Sequence, residues 1–306
     1  MTPASHATFR MSCLARASAG FTLVEVLVVL AVIGILAALV MPALDRTRAR
    51  ADAITCLDNT RQLIMAVVLY VDDHDGSLPY NMNLYGNSYR SNLNWANDVM
   101  TRDLSPDNTN LDTLTQASLG AYASRNTAIF HCPADLSMST IQLAAGWDHR
   151  IRSYSMNGMI GNPGQTSVNG GNANNPGYHQ FLKLAQIPRP DQIFVFLDEQ
   201  PDSIKDGSFL NPDSSNVNTL IDDEGGGAFG QLEWLDLPAS YHNRNATFSF
   251  SDGHAEFHRW ANPEKVRPSQ PNLPYNPVVV TSYGNDFQWV SSHTSVAFAP
   301  SPANSN

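Results

Sequence analysis

Imidazole, carboxylate and thiol side chains are the groups in this chain with chemistry to offer, and they fall in three places. The first is the C-terminal half, with His242, Asp252 and His254 close in sequence and the acidic pair Asp198-Glu199 ending the run DQIFVFLDEQ. Imidazole with carboxylate suits a divalent ion such as Zn²⁺ or Mn²⁺, so Asp198, Glu199, His242, Asp252 and His254 are the candidate metal ligands. The plainer alternative gives Asp252 the job of making a turn and His242 that of ordering the loop before a strand. Asp198, Glu199 and His242 would also serve a hydrolase, yet no nucleophile elbow, P-loop or Gly-rich dinucleotide loop accompanies them. Spacing alone does not bring Asp198 to His242.

The second place is the thiols, Cys13, Cys56 and Cys132. No CxxC is present and His131-Cys132 lacks the partners of a zinc site, which argues against a metal held through cysteine. Cys56 and Cys132 either pair in an oxidising compartment or stand as two separate buried thiols. The acids Asp72, Asp73 and Asp75 of DDHDG do not have EF-hand spacing and read as a solvated turn.

The third place is Glu25, in SAGFTLVEVLVVL. Phe21 to Leu44 is an almost unbroken run of Leu, Val, Ile and Ala; at about 1.5 Å per residue it spans roughly 36 Å, enough to cross a bilayer core. A carboxylate inside such a run costs a few kcal/mol, to order of magnitude, unless it finds a partner or reaches the interface. A secretory signal peptide would be shorter and end in a small-residue cleavage site, and no convincing A-x-A site closes this run. An ordinary anchor leaves Glu25 without a reason. Arg46, Arg48 and Arg50 follow the run and only Arg10 and Arg16 precede it, so the flanking basic count does not by itself put the N-terminus in the cytoplasm. Net charge is −10, from 18 basic and 28 acidic residues, which argues against nucleic acid as the main partner.

The elements that must position these groups follow from periodicity. Beyond Pro42 the apolar residues Ala53, Cys56, Leu57, Leu63, Ile64, Val67, Val68 and Val71 recur at helical spacing, which predicts an amphipathic continuation ending near residues 72–76. Residues 81–128 read as short helices and loops, AIFHCPAD (128–135) as a short buried strand, and RSYSMNGMIG (152–161) as a strand. Residues 162–177 are Gly- and Asn-rich and read as an exposed loop; DQIFVFLDEQ (191–200) is the clearest central strand. In HNRNATFSFSDGHAEFHRW, Asp252-Gly253 predicts a two-residue type I′ turn. That register pairs Phe248 with Phe257 and puts Phe248, Phe250, Ala255 and Phe257 on the core face of a half-buried edge hairpin. Residues 277–298 could add one or two strands.

Gly20-Phe21-Thr22-Leu23-Val24-Glu25, with Pro42 further along the helix, resembles the prepilin peptidase site of type IV pilins and type II secretion pseudopilins. The spacing of His242 from Asp252-Gly253 is similar to the H-x9-DG signature of a large prepilin-like group; Tyr70, Asp73 and Pro79, with HCPAD and SYSMN, resemble further segments of that group. The resemblance implies a leader over 1–20, a transmembrane half-helix over 21–44, an amphipathic half over 45–76 and an extracytoplasmic head over 77–306. The implied fold is α+β and pilin-like, a long N-terminal helix packed on an antiparallel sheet. It implies cleavage after Gly20, N-methylation of Phe21 and an assembly role for Glu25, which would meet the new amine in its own subunit or a neighbour's, and for Pro42. Implied partners are prepilin peptidase, other pilin or pseudopilin subunits, an assembly platform and the inner membrane, with the head in the periplasm or at the cell surface. No catalysis and no cofactor follow from it. The alternative function is a membrane-anchored extracytoplasmic module that binds a metal or glycan.

Overall fold

The computed structural model describes residues 21–82, 91–164, 175, 177–210, 233–261, 269–273, 278–279 and 285–298. Residues 1–20, expected to form a leader and including Cys13 and Gly20, lie outside these residues, as does most of the loop expected over 162–177. By its internal contacts the chain divides into two compact units, Met1–Arg48 and Ala49–Asn306.

Helix α1 runs Leu23–Asp73 and contains Pro42. Proline lacks the N–H of the i to i−4 bond, so the ladder has a gap there. Between Val26 and Leu44 the helix is apolar on all sides, with Leu27 60%, Ile35 62% and Leu39 69% exposed. A helix apolar all round is suited to lipid or to other helices rather than to water. By length and composition α1 is able to cross a membrane.

The part of α1 in the second unit has one buried face, carrying Cys56, Leu63, Ile64, Val67, Tyr70 and Val71. Its end is made by the predicted acidic turn. Gly76 takes φ +79°, and its N–H donates to the Val71 carbonyl at 3.0 Å, closing the last turn as a left-handed C-terminal residue does.

The head is built on a five-stranded sheet of strands β1 (Tyr154–Asn157), β2 (Phe194–Asp198), β3 (Ser208–Phe209), β5 (Asn245–Phe250) and β6 (Ala255–Arg259), in the order β3-β1-β2-β5-β6. As the run DQIFVFLDEQ predicts, β2 is the middle strand. The sheet is mixed rather than wholly antiparallel, because β3 lies parallel to β1. Strand β4 (Glu233–Trp234) pairs with β7 (Val278–Val279) in a separate ladder. The C-terminal region adds helix α4 (Asn285–Thr294) besides the short β7, where strands alone were expected. Short helices α2 (Asp112–Thr115) and α3 (Thr140–Ala144) lie in the loop-rich middle.

Two hydrophobic clusters take up the faces of the sheet. One joins the α1 face to Tyr154, Met156, Val195 and Phe196. The other joins Phe194, Leu197, Phe248 and Phe250 to Trp234, Trp260, Phe287 and Val290. Strand β2 feeds both by side-chain alternation, and neighbours Val195 and Phe196 share one cluster where its pairing with β5 is irregular between Phe194 and Phe196.

Two local expectations are corrected. Residues 127–130 form a 3-10 turn rather than a strand, with Asn126 accepting from Ala128 N–H at its start. The β5–β6 hairpin pairs Phe248 with Glu256 and Thr247 with Phe257, one residue away from the predicted register. Phe250 N–H donates to His254 O and Gly253 N–H to Phe250 O, with Gly253 at φ +94°. Asp252-Gly253 thus closes a three-residue loop ending in a left-handed glycine, not a two-residue type I′ turn. The one-residue slip turns β6 over: His258 now faces Phe248, and Phe257 is 37% exposed.

Candidate functional site

The N-terminal end of α1 and a buried polar cluster in the head hold the residues with chemistry. At the helix start, the Glu25 carboxylate accepts from both the Thr22 N–H and the Thr22 hydroxyl, each at 2.8 Å. Glu25 N–H in turn donates to Thr22 Oγ1 at 3.2 Å. This is a reciprocal capping box, which satisfies N-terminal amides that have no partner within the helix. The signal for it, Thr-x-x-Glu, stands in the sequence beside the charge that drew attention. Phe21 lies just ahead of this box and is highly exposed.

In the head, Cys56, Cys132, Asp198 and His242 converge, and one ligand atom from each lies within 4.8 Å of the others. Four separate segments deliver them. Cys56 comes from the buried face of α1. Cys132 follows the 3-10 turn, whose exit is held to the helix by Asn59 Nδ2 donating to His131 O at 3.0 Å. Asp198 is the last residue of β2, and its carbonyl accepts from Ala239 N–H at 2.8 Å, which docks the loop that carries His242. His242 precedes β5, where left-handed Asn243 and Arg244 turn the chain into the strand.

Three contacts within the cluster fall in a narrow range. Cys132 Sγ is 3.4 Å from His242 Nε2, Cys56 Sγ is 3.7 Å from Asp198 Oδ2, and His242 Nε2 is 3.6 Å from Asp198 Oδ2. The last contact is too long for a hydrogen bond. Around the cluster, Thr247 N–H donates to Asp198 Oδ1 at 2.6 Å and the Tyr154 hydroxyl donates to Cys56 Sγ at 3.1 Å. Thr247 Oγ1 lies 3.5 Å from Cys56 Sγ.

Burial sets the protonation of these groups. It raises the Asp198 carboxyl to about 7, against the hydrogen bonds from Thr247 that lower it. It lowers His242 to about 4, with Asp52 opposing, and it pushes the Cys56 thiol well up. Desolvation disfavours the charged form of each group, and without a countercharge the imidazole and Cys56 are neutral at pH 7.

Of the five candidate ligands, the structure brings together Asp198 and His242 only. Glu199 points elsewhere: it is buried, accepts from the Ser203 hydroxyl at 2.8 Å, and is raised by burial and by Asp236. Asp252 and His254 form their own pair in the hairpin loop, Nδ1 to Oδ1 2.6 Å, with the His254 ring stacked on Phe250 at 4.4 Å. Asp252 and Gly253 therefore have the turn-making role. Cys56 and Cys132 are buried free thiols, and both stand in the cluster with Asp198 and His242, although their spacing argued against a metal held through cysteine.

Residues 15–41 match the family described as the prokaryotic N-terminal methylation motif. No curated protein and no solved structure matches the chain. Among the described residues one apolar helix is long enough to cross a membrane, and together with this motif it fits a single-pass membrane-anchored protein. Its N-terminal segment is of the prepilin type found in type IV pilins and pseudopilins, which points to a structural subunit rather than an enzyme.

Proposed function

We propose that this chain is a pilin or pseudopilin subunit that is cleaved after Gly20, N-methylated on Phe21, and assembled through α1 into a type IV pilus-like or type II secretion filament. The observation that carries this reading is the methylation motif over residues 15–41, set on a helix whose apolar side chains are exposed all round. Such a surface is stable in lipid or against copies of itself, and a filament core supplies the second. Cleavage creates an ammonium on Phe21 at the positive end of the helix dipole, where a carboxylate one turn away stabilises it. Glu25 is that carboxylate, for its own amine or a neighbour's. Pro42 loosens the helix and lets packed copies adjust. Prepilin peptidase, an assembly platform and other subunits are the partners, and the inner membrane is the site of anchoring with the head outside the cytoplasm.

The test is the mature N-terminus together with assembly of a Glu25→Gln variant. Mass spectrometry should find a chain starting at methylated Phe21, and Glu25→Gln should be cleaved normally yet lost from sheared or cross-linked filaments. A chain starting at Met1, or a variant that assembles as the parent does, overturns the reading.

A further inference from the structure

We propose that Cys56, Cys132, Asp198 and His242 form a structural site for a tetrahedral, borderline-soft divalent ion, Zn²⁺ by preference, which clamps α1 to the head sheet. The site is independent of the filament reading.

Geometry carries it. With Zn–S of about 2.3 Å and Zn–N or Zn–O of about 2.0–2.2 Å, the edges between ligands of a tetrahedral Zn²⁺ come to roughly 3.4–3.8 Å. Three ligand pairs are at 3.4, 3.6 and 3.7 Å, and all four atoms lie within 4.8 Å of one another. Each thiol makes only a weak sulfur hydrogen bond inside the cluster, Cys56 Sγ to Asp198 Oδ2 and Cys132 Sγ to His242 Nε2, while His242 Nε2 and Asp198 Oδ2 face each other without one. All four residues are buried, Cys56, Cys132 and Asp198 completely. A carboxyl, an imidazole and two thiols aimed at one dry point form a poor apolar core and a good ligand set.

The surroundings match a metal centre. Ligands of structural sites are oriented by hydrogen bonds from behind. Here Thr247 N–H holds Asp198 Oδ1 and so turns Oδ2 inward, while the Tyr154 hydroxyl supports Cys56 Sγ. Two thiolates, one carboxylate and a divalent cation leave one negative charge, and the donors from Tyr154 and Thr247 offset it. On binding, each thiol gives its proton to solvent, as does Asp198 where it is protonated; the imidazole enters neutral. Four protein donors close the coordination shell, which marks a structural site rather than a catalytic one with an open position.

The ligands tie the α1 face, the segment after the 3-10 turn, the end of β2 and the loop before β5. The competing chemistry is a Cys56–Cys132 disulfide, which would use the sulfurs and leave Asp198 and His242 facing each other unused.

The test uses the full chain, purified in detergent without chelator. Element analysis should give roughly one Zn²⁺ per chain, and Cys56 and Cys132 should react with thiol reagents only after chelation, as located by peptide mass spectrometry. Cys132→Ser and His242→Ala should each lower Zn²⁺ content or affinity at least about tenfold, while His254→Ala should leave it unchanged. Should the cysteine variant fail to fold, Co²⁺ exchanged into the parent chain reports directly, because thiolate coordination gives an intense charge-transfer band and tetrahedral geometry strong visible bands. An intact mass two hydrogens short with no metal shows the disulfide and overturns the proposal. Free, reactive thiols that take up neither Zn²⁺ nor Co²⁺ overturn it equally.

Discussion

Arg152 Nε donates to both carboxylate oxygens of Asp98, at 3.1 and 2.8 Å, and both side chains are fully enclosed. The guanidinium also lies over the Trp95 ring, 5.6 Å from its centroid, and donates to Tyr154 O at 2.6 Å. Removing one partner of a buried pair leaves the other charge without compensation, at a cost of about 3–5 kcal/mol. Asp98→Ala should therefore unfold the head at much lower denaturant. Arg152→Met with Asp98→Leu, which removes both charges, should recover a large part of the loss. Equilibrium denaturation of the two variants checks this, and equal stability of Asp98→Ala and the parent would contradict it.

Thr22 separates the two duties of Glu25. Thr22→Val removes the hydroxyl of the capping box and keeps the carboxylate, so the start of α1 should weaken by about 1 kcal/mol. Hydrogen exchange at the first turn should rise in detergent. Filament yield should stay near that of the parent, in contrast to Glu25→Gln. A Thr22→Val chain as defective in assembly as Glu25→Gln would mean that the cap, not the carboxylate charge, is what assembly needs.

Acid should loosen the C-terminal part of the head through His258. Its ring stacks on Trp289 at 3.6 Å, and burial lowers it to about 4, with Asp286 raising it and His293 lowering it. The unfolded chain takes up a proton on this residue near its ordinary value of about 6.5, and the folded chain does so only near 4. Between those values the unfolded state binds more protons, so stability is fully present above about 6.5 and falls as pH drops toward 4. Denaturation midpoints taken across this window should fall less steeply in His258→Phe than in the parent. Parallel curves would remove His258 as the cause.

Much of the architecture is readable in advance because it rests on periodicity. The helical spacing through Val71, the acidic stop at Gly76 and the uniform apolar run of β2 each express a single local rule, and each appears as expected. The hairpin register does not, since Asp252-Gly253 suits two loop types that differ by one residue. The 3-10 turn at 127–130 is decided by Asn126, a capping side chain outside the apolar stretch that suggested a strand. The four-residue cluster is hidden for a stronger reason. Its members come from a helix, two loops and a strand end, and no spacing rule links residues 56, 132, 198 and 242. Cysteine pairs close in sequence are the familiar metal signal, and without one nothing in the sequence groups Cys56 and Cys132 with Asp198 and His242.

The capping box bears on how a filament would come apart. In the free chain Glu25 already has three contacts with Thr22. Under the proposed assembly it does not acquire a first partner when it meets an amine; it trades one set of donors for another. The net driving force at that contact is then the difference between two satisfied states. A subunit drawn back into the bilayer has its own donors waiting. Retraction and reuse of subunits thus need not meet a large electrostatic barrier at this residue, and the lasting grip between neighbours falls to the apolar flank of the helix.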